Sequence, residues 1–160
     1  MTSYLLPIAD REPLTWIVTE QRTAFPAGRA RDAGRLVDGD RLFLYSTRGC
    51  FRNPTRDRGR IMGSAVVTGG AAELEEPVRF GLREFPIGVK LAIKLLAPRR
   101  EGVELAPLVE RLEAFPDPPS WSARMRRALV PLASRDAVLL ERELCKVARP
   151  YPRNVGTYLA

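Results

Sequence analysis

The chain has 160 residues, of which 45% are hydrophobic, so it is long enough and apolar enough to form one domain with its own core. It carries 26 Lys and Arg residues against 19 Asp and Glu residues, and this formal net charge of +7 favours a polyanionic partner such as nucleic acid. It has no histidine and only two cysteines, Cys50 and Cys145, which excludes Ser-His-Asp and Cys-His catalysis and argues against a metal site, so we expect no metal and no cofactor.

The N-terminus and the hydropathy of the chain indicate a cellular compartment. The first residues, MTSYLLPIADREP, lack the basic region and long apolar segment of a signal peptide. No window of the sequence approaches the 18 uncharged apolar residues of a membrane span. We therefore expect a cytoplasmic protein that has no membrane partner.

Five segments have the composition of β-strands. In chain order they are residues 15–19 (TWIVT), 41–47 (RLFLYST), 60–68 (RIMGSAVVT), 78–85 (VRFGLREF) and 87–98 (IGVKLAIKLLAP). The last segment alternates apolar residues with lysines, which favours a strand, although its residue types also suit a helix. Gly63 inside the third segment indicates a β-bulge or a close backbone approach.

Polar segments separate these strands. Residues 20–40 include Pro26 and Gly28, have room for a short helix, and end in a turn at residues 38–40 (DGD). Residues 46–60 (STRGCFRNPTRDRGR) form an arginine-rich loop, and residues 69–77 (GGAAELEEP) form a turn and a connector.

Helical spacing replaces strand alternation in the last third of the chain. Residues 102–115 predict an amphipathic helix, residues 120–133 a shorter basic one, and residues 134–148 a third helix with Ser134 as its N-cap. The tail, residues 149–160, is expected to be extended. The sequence therefore predicts one α+β domain over residues 1–160, in which about five strands close into a small mixed barrel flanked by helices.

The order of these segments resembles the PUA-like superfamily, and within it the EVE-type domains, which are relatives of the YTH and ASCH domains. The resemblance is carried by Trp16 in TWIVT, by the strand from Gly39-Asp40 to Tyr45-Ser46, by Ile61, Gly63, Ala65 and Val67, and by the later VKLAIKLLAP and LAPLVERL. It covers residues 15–147. One segment departs from the pattern: this chain has FPAGRARDAGR where EVE proteins often have a histidine-containing QLCHGK-like segment.

The resemblance implies a module that binds DNA or RNA and holds a modified base in a pocket beside the barrel. A methylated base must leave its stack to be inspected, and an aromatic side chain then replaces the lost stacking. Such base–aromatic stacking contributes about 1–3 kcal/mol. The resemblance therefore implies a reader of modified bases and not a catalyst.

The candidate pocket residues lie near strand ends beside the arginine-rich loop: Trp16, Thr19, Tyr45, Ser46, Thr47, Phe51 and Asn53. Asn53 has both a donor and an acceptor for a base edge, but it also precedes Pro54, and this Asn-Pro pair is typical of a turn. For Trp16 and Tyr45 the alternative is a core position, which their residue types and strand context favour over a ligand contact. Phe51 either folds onto the core or stacks on a base.

The candidate phosphate contacts are the loop arginines together with two lysines of the later strand segment 87–98: Arg48, Arg52, Arg56, Arg58, Arg60, Lys90 and Lys94. Each phosphate that they neutralise would release counterions and steepen the salt dependence of binding. Alternatively, the loop is solvated and pairs with the acidic residues Glu73, Glu75 and Glu76. The basic ARMRRAL segment, residues 123–129, would extend the same surface.

An enzymatic alternative comes from the ASCH domains, some of which resemble small amidohydrolases that use Lys, Thr and Glu. The nearest residues of those types here are Lys90, Thr19 and Glu20. A lysine acts as a base near pH 7 only when burial or a cationic neighbour lowers its pKa. The two arginines that flank Cys50 would similarly lower the pKa of its thiol. Because nothing in the sequence brings these groups together, no catalytic residue is assigned.

Overall fold

The computed structural model describes residues 1–53 and 57–159. Within these ranges nine strands are present: β1 (Ser3–Ile8), β2 (Arg22–Phe25), β3 (Arg41–Ser46), β4 (Arg60–Val67), β5 (Ala72–Phe80), β6 (Arg83–Leu96), β7 (Val103–Glu104), β8 (Val130–Leu132) and β9 (Arg149–Pro150). The α-helices are α1 (Arg11–Glu20), α2 (Ala30–Gly34), α3 (Trp121–Arg124), α4 (Ser134–Cys145) and α5 (Tyr151–Asn154). Short 3₁₀ helices lie at Ala27–Arg29, Ala106–Arg111, Pro118–Ser120 and Val155–Tyr158.

The strands form one mixed sheet in the order β2-β6-β4-β3-β1-β8. Strands β1 and β3 run parallel, from Ser3 opposite Arg41 to Ile8 opposite Ser46, whereas the other pairs are antiparallel. The long strand β6 also pairs with β5 and β9. The predicted α+β class is confirmed, with a curled half-barrel where we expected a closed barrel of about five strands.

Both faces of the central strands are buried. Leu42 and Leu44 of β3 face one core, which α1 covers, while Phe43 and Tyr45 face a second core, which α4 and the 3₁₀ helix Ala106–Arg111 cover. Side chains of a strand point alternately to its two faces, so a strand in this position needs an almost unbroken apolar run. The sequence RLFLYS of β3 meets that need.

The glycine–aspartate turn before β3 is a structural anchor. Gly39 has a φ of +90°, a conformation that glycine adopts without steric cost. The buried Asp40 carboxylate accepts hydrogen bonds from the backbone N–H groups of Thr2 and Val37, both at 3.0 Å. This turn therefore fixes the start of β1 beside the start of β3.

Gly63 has the structural role that its position in β4 predicts. The pairing of β3 with β4 slips at this point, since Leu44 lies opposite Gly63 and Tyr45 lies opposite Ile61. A side chain at Gly63 would place its Cβ 2.6 Å from the carbonyl oxygen of Leu95 on the neighbouring strand. The bulge and the close backbone approach are both confirmed.

One prediction for the N-terminal region is wrong, and one strand there was missed. Residues 15–19 lie inside helix α1, where Leu14, Ile17 and Val18 form the helical stripe that faces the core. A β-branched run of five residues is too short to reveal this spacing. Strand β1 was missed altogether, because residues buried on both faces show no alternation.

Several later boundaries also differ from the prediction. Residues 69–77 contain most of β5, and β6 continues through Pro86. The apolar residues of segment 102–115 are buried as expected, but their backbone forms a 3₁₀ helix and turns and not one α-helix. Segment 120–133 ends in strand β8, and the tail forms α5 and a 3₁₀ helix where an extended chain was expected.

Helix α4 begins at Ser134, which is its first helical residue and not the predicted N-cap. Ala133 holds the capping position, and no side chain caps the helix. Asp136 of the first turn is fully buried, and its carboxylate accepts the backbone N–H groups of Glu113 and Ala114 at 2.9 Å each. This carboxylate ties α4 to the segment that precedes α3.

Candidate nucleic-acid interface

A cavity of about 500 Å³ opens where the parallel strands β1 and β3 end. The carboxyl ends of parallel strands meet at one edge of a sheet, which is a common place for a ligand site. Here the backbone N–H of Thr47 donates to the carbonyl oxygen of Ile8 at 3.1 Å and holds the two ends together. The chain then enters α1 through Asp10, which lines the cavity together with Thr47.

The walls of this cavity are largely apolar. They come from β1, α1, β2, β6 and the segment after α3: Leu6, Ile8, Ile17, Phe25, Phe85 and Met125. All six side chains are buried, and five of the six belong to hydrophobic clusters of the core. A cavity of this size and lining suits a small planar ligand.

Four arginines and one acidic residue, Asp10, are among the residues that line the cavity. All four arginines are exposed, and they come from three places: Arg29 ends a 3₁₀ helix, Arg83 begins β6, and Arg126 and Arg127 lie in the turn after α3. Arg83 approaches the carboxylate of Asp10 at 3.8 Å, with both side chains at least half exposed. Such an exposed pair contributes little stability and is easily exchanged for another anion.

Thr23 is the buried polar side chain of the cavity wall. It is only 2% exposed, and it lines the cavity on β2. Its hydroxyl can both donate and accept a hydrogen bond. Thr23 is therefore positioned to bond a polar atom of a molecule in the cavity.

The predicted pocket residues are divided among four places, and of the seven only Thr47 is among the residues that line this cavity. Trp16 and Thr19 lie on α1 and face a second, more open groove of about 840 Å³. The Trp16 ring meets the edge of Phe80, with centroids 5.8 Å apart, and the Arg22 guanidinium lies 5.1 Å from its centroid. The Thr19 hydroxyl donates to the carbonyl of Thr15 at 2.8 Å.

Tyr45 and Ser46 are buried in the sheet. A Cβ on Gly59 would lie 1.7 Å from the Tyr45 hydroxyl oxygen, so the ring packs directly on that glycine. Burial raises the pKa of Tyr45 to about 12, while the nearby Arg48 acts in the opposite direction. The Ser46 hydroxyl donates to the carbonyl of Arg60 at 3.4 Å.

Phe51 and Asn53 lie in the arginine-rich loop. Phe51 packs against the core and carries the guanidinium groups of Arg99 and Arg100 over its ring, at 5.3 and 4.7 Å from the centroid. The carbonyl of Asn53 accepts the backbone N–H of Asp57 at 2.8 Å. The geometry thus places Phe51 under two cations.

The predicted phosphate contacts differ in how available they are. Exposed side chains are those of Arg48, Arg52, Arg58, Lys90 and Lys94. Arg60 instead donates to the carbonyl of Gly102 at 2.8 Å and pairs with Glu104 at 3.3 Å. Arg56 lies outside the described residues.

The alternative partner that we considered for the loop is not the one observed. Asp57 of the loop pairs with Arg100 at 2.6 Å. Among the ion pairs of the described residues, none joins the loop to Glu73, Glu75 or Glu76. The exposed loop arginines consequently keep their charge available at the surface.

Cys50 is buried beneath this loop. Burial raises the pKa of its thiol to about 12, and the nearby Asp10 carboxylate acts in the same direction. The expectation that the neighbouring arginines would lower this pKa is wrong, because burial outweighs them. Within the described residues no cluster of His, Cys, Asp and Glu could hold a metal ion, and no helix is long and apolar enough to cross a membrane.

Solved structures of several proteins share this architecture. Rpa0253 from Rhodopseudomonas palustris superimposes with a TM-score of 0.55 at 17% identity, over 91% of this chain and 94% of that chain. The YTH domain of Mmi1, in complex with RNA, gives 0.59 at 9% identity, over 92% and 83%. Human THYN1, in complex with 5-methylcytosine-containing DNA, gives 0.55 at 14% identity, over 89% and 98%. No protein-family model and no curated protein matches the sequence.

These likenesses define the class of the fold. The chain has the PUA-like fold that the YTH domains and THYN1 share, and the resemblance expected from its sequence motifs is confirmed at that level.

Proposed function

We propose that this protein is a nucleic-acid-binding module that takes a modified base into the cavity at the ends of β1 and β3. The observation that carries the proposal is the combination of an apolar cavity of about 500 Å³ with four arginines around it. A base is planar and weakly polar, so it suits the apolar cavity. The nucleic-acid backbone is anionic, so it suits the arginines beside the cavity.

The apolar wall accounts for a preference for a methylated base. Burial of one additional methyl group contributes about 0.8 kcal/mol, which corresponds to roughly a fourfold gain in affinity. The Phe25 ring and the Arg83 guanidinium, which lies over the Phe85 ring at 5.1 Å from its centroid, offer flat surfaces for the base itself. The Thr23 and Thr47 hydroxyls and the Asp10 carboxylate provide a small set of polar groups for the base edge.

The exposed arginines account for binding to the backbone. Arg126 and Arg127 stand at the cavity, and Arg48, Arg52 and Arg58 lie in the loop that follows Thr47. Because Thr47 lines the cavity, the loop starts at its edge. Guanidinium groups in this position would pair with the phosphates on either side of an inserted nucleotide.

The structural neighbours support the same assignment. Mmi1 and THYN1 were solved with RNA and with methylated DNA, respectively, and each covers most of this chain with the same fold. Because a fold hosts many functions, the cavity and its arginines carry the argument and the neighbours add to it.

Fluorescence anisotropy with matched oligonucleotides tests the proposal. DNA and RNA strands carrying one methylated base, and the same strands unmodified, would be titrated at two salt concentrations. We expect binding that weakens steeply with salt and favours the methylated strand by roughly fourfold. Absence of binding at low salt to every strand would rule the proposal out, and equal affinity for both forms would leave a general nucleic-acid binder.

The amidohydrolase alternative gains no support from the positions of its residues. Lys90 is exposed on β6 and Glu20 is exposed at the end of α1. The Thr19 hydroxyl is bonded to its own helix, and none of the three residues lines the 500 Å³ cavity. Hydrolysis of an acylated nucleoside that is lost in K90A would reverse this conclusion.

A further inference from the structure

The hairpin between β5 and β6 presents one apolar side chain at its tip. Phe80 and Arg83 are paired across the hairpin, so Gly81 and Leu82 form a two-residue turn. Gly81 has a φ of +62°, which suits the first central position of a tight hairpin turn. Leu82 is fully exposed, more than any other large hydrophobic residue of the described chain.

The tip is held rigidly by the residues beneath it. The Phe80 ring meets the Trp16 ring on one side and the Phe85 ring on the other, with centroids 5.8 and 5.5 Å apart. Arg79 pairs with Glu84 across the two strands at 2.9 Å. Leu82 therefore stays in solvent although an aromatic cluster lies at the base of its own hairpin.

The tip stands next to the cavity. Arg83, the residue after Leu82, lines the cavity and approaches Asp10 at 3.8 Å. Arg79 lies in the next pair of the hairpin, opposite Glu84, and the side chains of Arg79 and Arg83 are both 65% exposed. Single exposed leucines are common on protein surfaces, but this one directly precedes an arginine that lines the candidate site.

A base that leaves a duplex vacates a space in the stack. Proteins that bend or open DNA insert apolar side chains such as leucine between base steps, and the charged residues beside the wedge bind phosphates. Filling the vacated space lowers the cost of keeping the base in a protein pocket.

We infer that Leu82 is a wedge that enters the duplex when a base occupies the cavity, so that the ligand is double-stranded nucleic acid. The inference rests on the proposed function, since a wedge is useful only where a base is flipped. It assigns the β5–β6 hairpin a role distinct from that of the cavity. The cavity holds the extruded base, whereas Leu82 replaces it in the stack.

The test compares L82A, L82F and wild-type protein on two probes. One is a short fluorescein-labelled DNA duplex with a single 5-methylcytosine, and the other is the methylated strand alone. We expect L82A to weaken duplex binding about tenfold and to change single-strand binding by less than about twofold. L82F, which keeps an apolar side chain, should retain most of the duplex affinity. V138A, which shortens an exposed apolar residue on α4, is the matched control.

A second measurement, 2-aminopurine fluorescence, reports base stacking in the duplex directly. A 2-aminopurine placed next to the 5-methylcytosine should brighten when wild-type protein binds the duplex and brighten much less with L82A. The inference is overturned if L82A binds the duplex as wild type does, if it weakens both probes equally, or if wild-type protein binds the single strand alone. In those three cases the proposed function survives, whereas failure of wild-type protein to bind either probe removes both.

Discussion

The guanidinium group of Arg100 lies over the Phe51 ring, 4.7 Å from its centroid, and the same group pairs with Asp57 at 2.6 Å. A loop rich in arginine is thus fastened to the body of the protein by an arginine from outside the loop. Phe51 packs against the core on one side and against Arg99 and Arg100 on the other. This arrangement gives Phe51 a role in positioning the loop.

F51A should therefore destabilise the protein by about 1–3 kcal/mol, because it removes packing of a half-buried ring together with its cation–π contacts. Chemical denaturation followed by circular dichroism measures this loss. R52A, which shortens an exposed side chain one position further along the loop, should change stability by less than about 0.5 kcal/mol. If F51A kept full stability while losing all affinity for nucleic acid, Phe51 would be a stacking residue instead.

Charge reversal at the cavity should weaken binding to every oligonucleotide alike. Arg126 and Arg127 are exposed and line the cavity, so R126E/R127E removes two candidate phosphate contacts. The slope of log affinity against log salt should fall by roughly 1.4–1.8, since each contact contributes about 0.7–0.9. R142E, an exposed charge reversal on α4, serves as the control. A salt slope identical to that of wild type would show that these arginines do not meet the backbone.

Replacement of Thr23 by valine should separate stability from recognition. Valine has nearly the same shape but no hydroxyl, and Thr23 is a buried residue of the cavity wall. We expect T23V to keep the stability of the free protein and to weaken binding of the methylated oligonucleotide by about 1 kcal/mol, because a hydrogen bond to the ligand is lost. Denaturation and anisotropy titrations of one preparation measure both. A variant that loses stability and keeps its affinity would contradict this role.

The two thiols should differ in reactivity at mildly alkaline pH. Burial, reinforced by Asp10, raises the pKa of Cys50 from its ordinary 9.0 to about 12, whereas Cys145 is exposed. The folded state therefore retains the Cys50 proton; this contribution to stability is full below about pH 9 and is lost as the pH rises towards 12. A thiol reagent at pH 8 should label one cysteine quickly, and C145S should abolish that rapid phase. Two rapid equivalents in the native protein would show that Cys50 is accessible.

The parts of the fold that sequence reasoning predicted are those with a simple local pattern. Strands β3 and β4 were found because turns bound their apolar runs, and the Gly63 bulge was found because glycine in a strand has few other roles. Strand β1 was missed, since its pairing with β3 leaves it buried on both faces and without alternation. Helix α1 was mistaken for a strand because its β-branched residues outweighed its helical spacing in a short window.

The cavity could not be predicted from the sequence, because its lining residues are far apart in the chain. Thr47 could be chosen because it follows a strand end, but Thr23, Phe85 and Arg126 come from β2, β6 and the turn after α3. Only the long-range pairing of β2 with β6, and the course of the chain after α3, bring them to the end of β1. A basic segment around Arg126 was visible in the sequence, whereas its position beside a cavity depends on tertiary structure.

The most direct test of the account is an NMR titration of isotope-labelled protein with a 5-methylcytosine oligonucleotide and with its unmodified counterpart. If a modified base enters the cavity, the amide signals of β2 and of Thr47 should differ between the two titrations, while signals from the arginine-rich loop should shift alike in both. Identical shifts in β2 for the two oligonucleotides, or changes confined to α4, would contradict the presence of the base in this cavity.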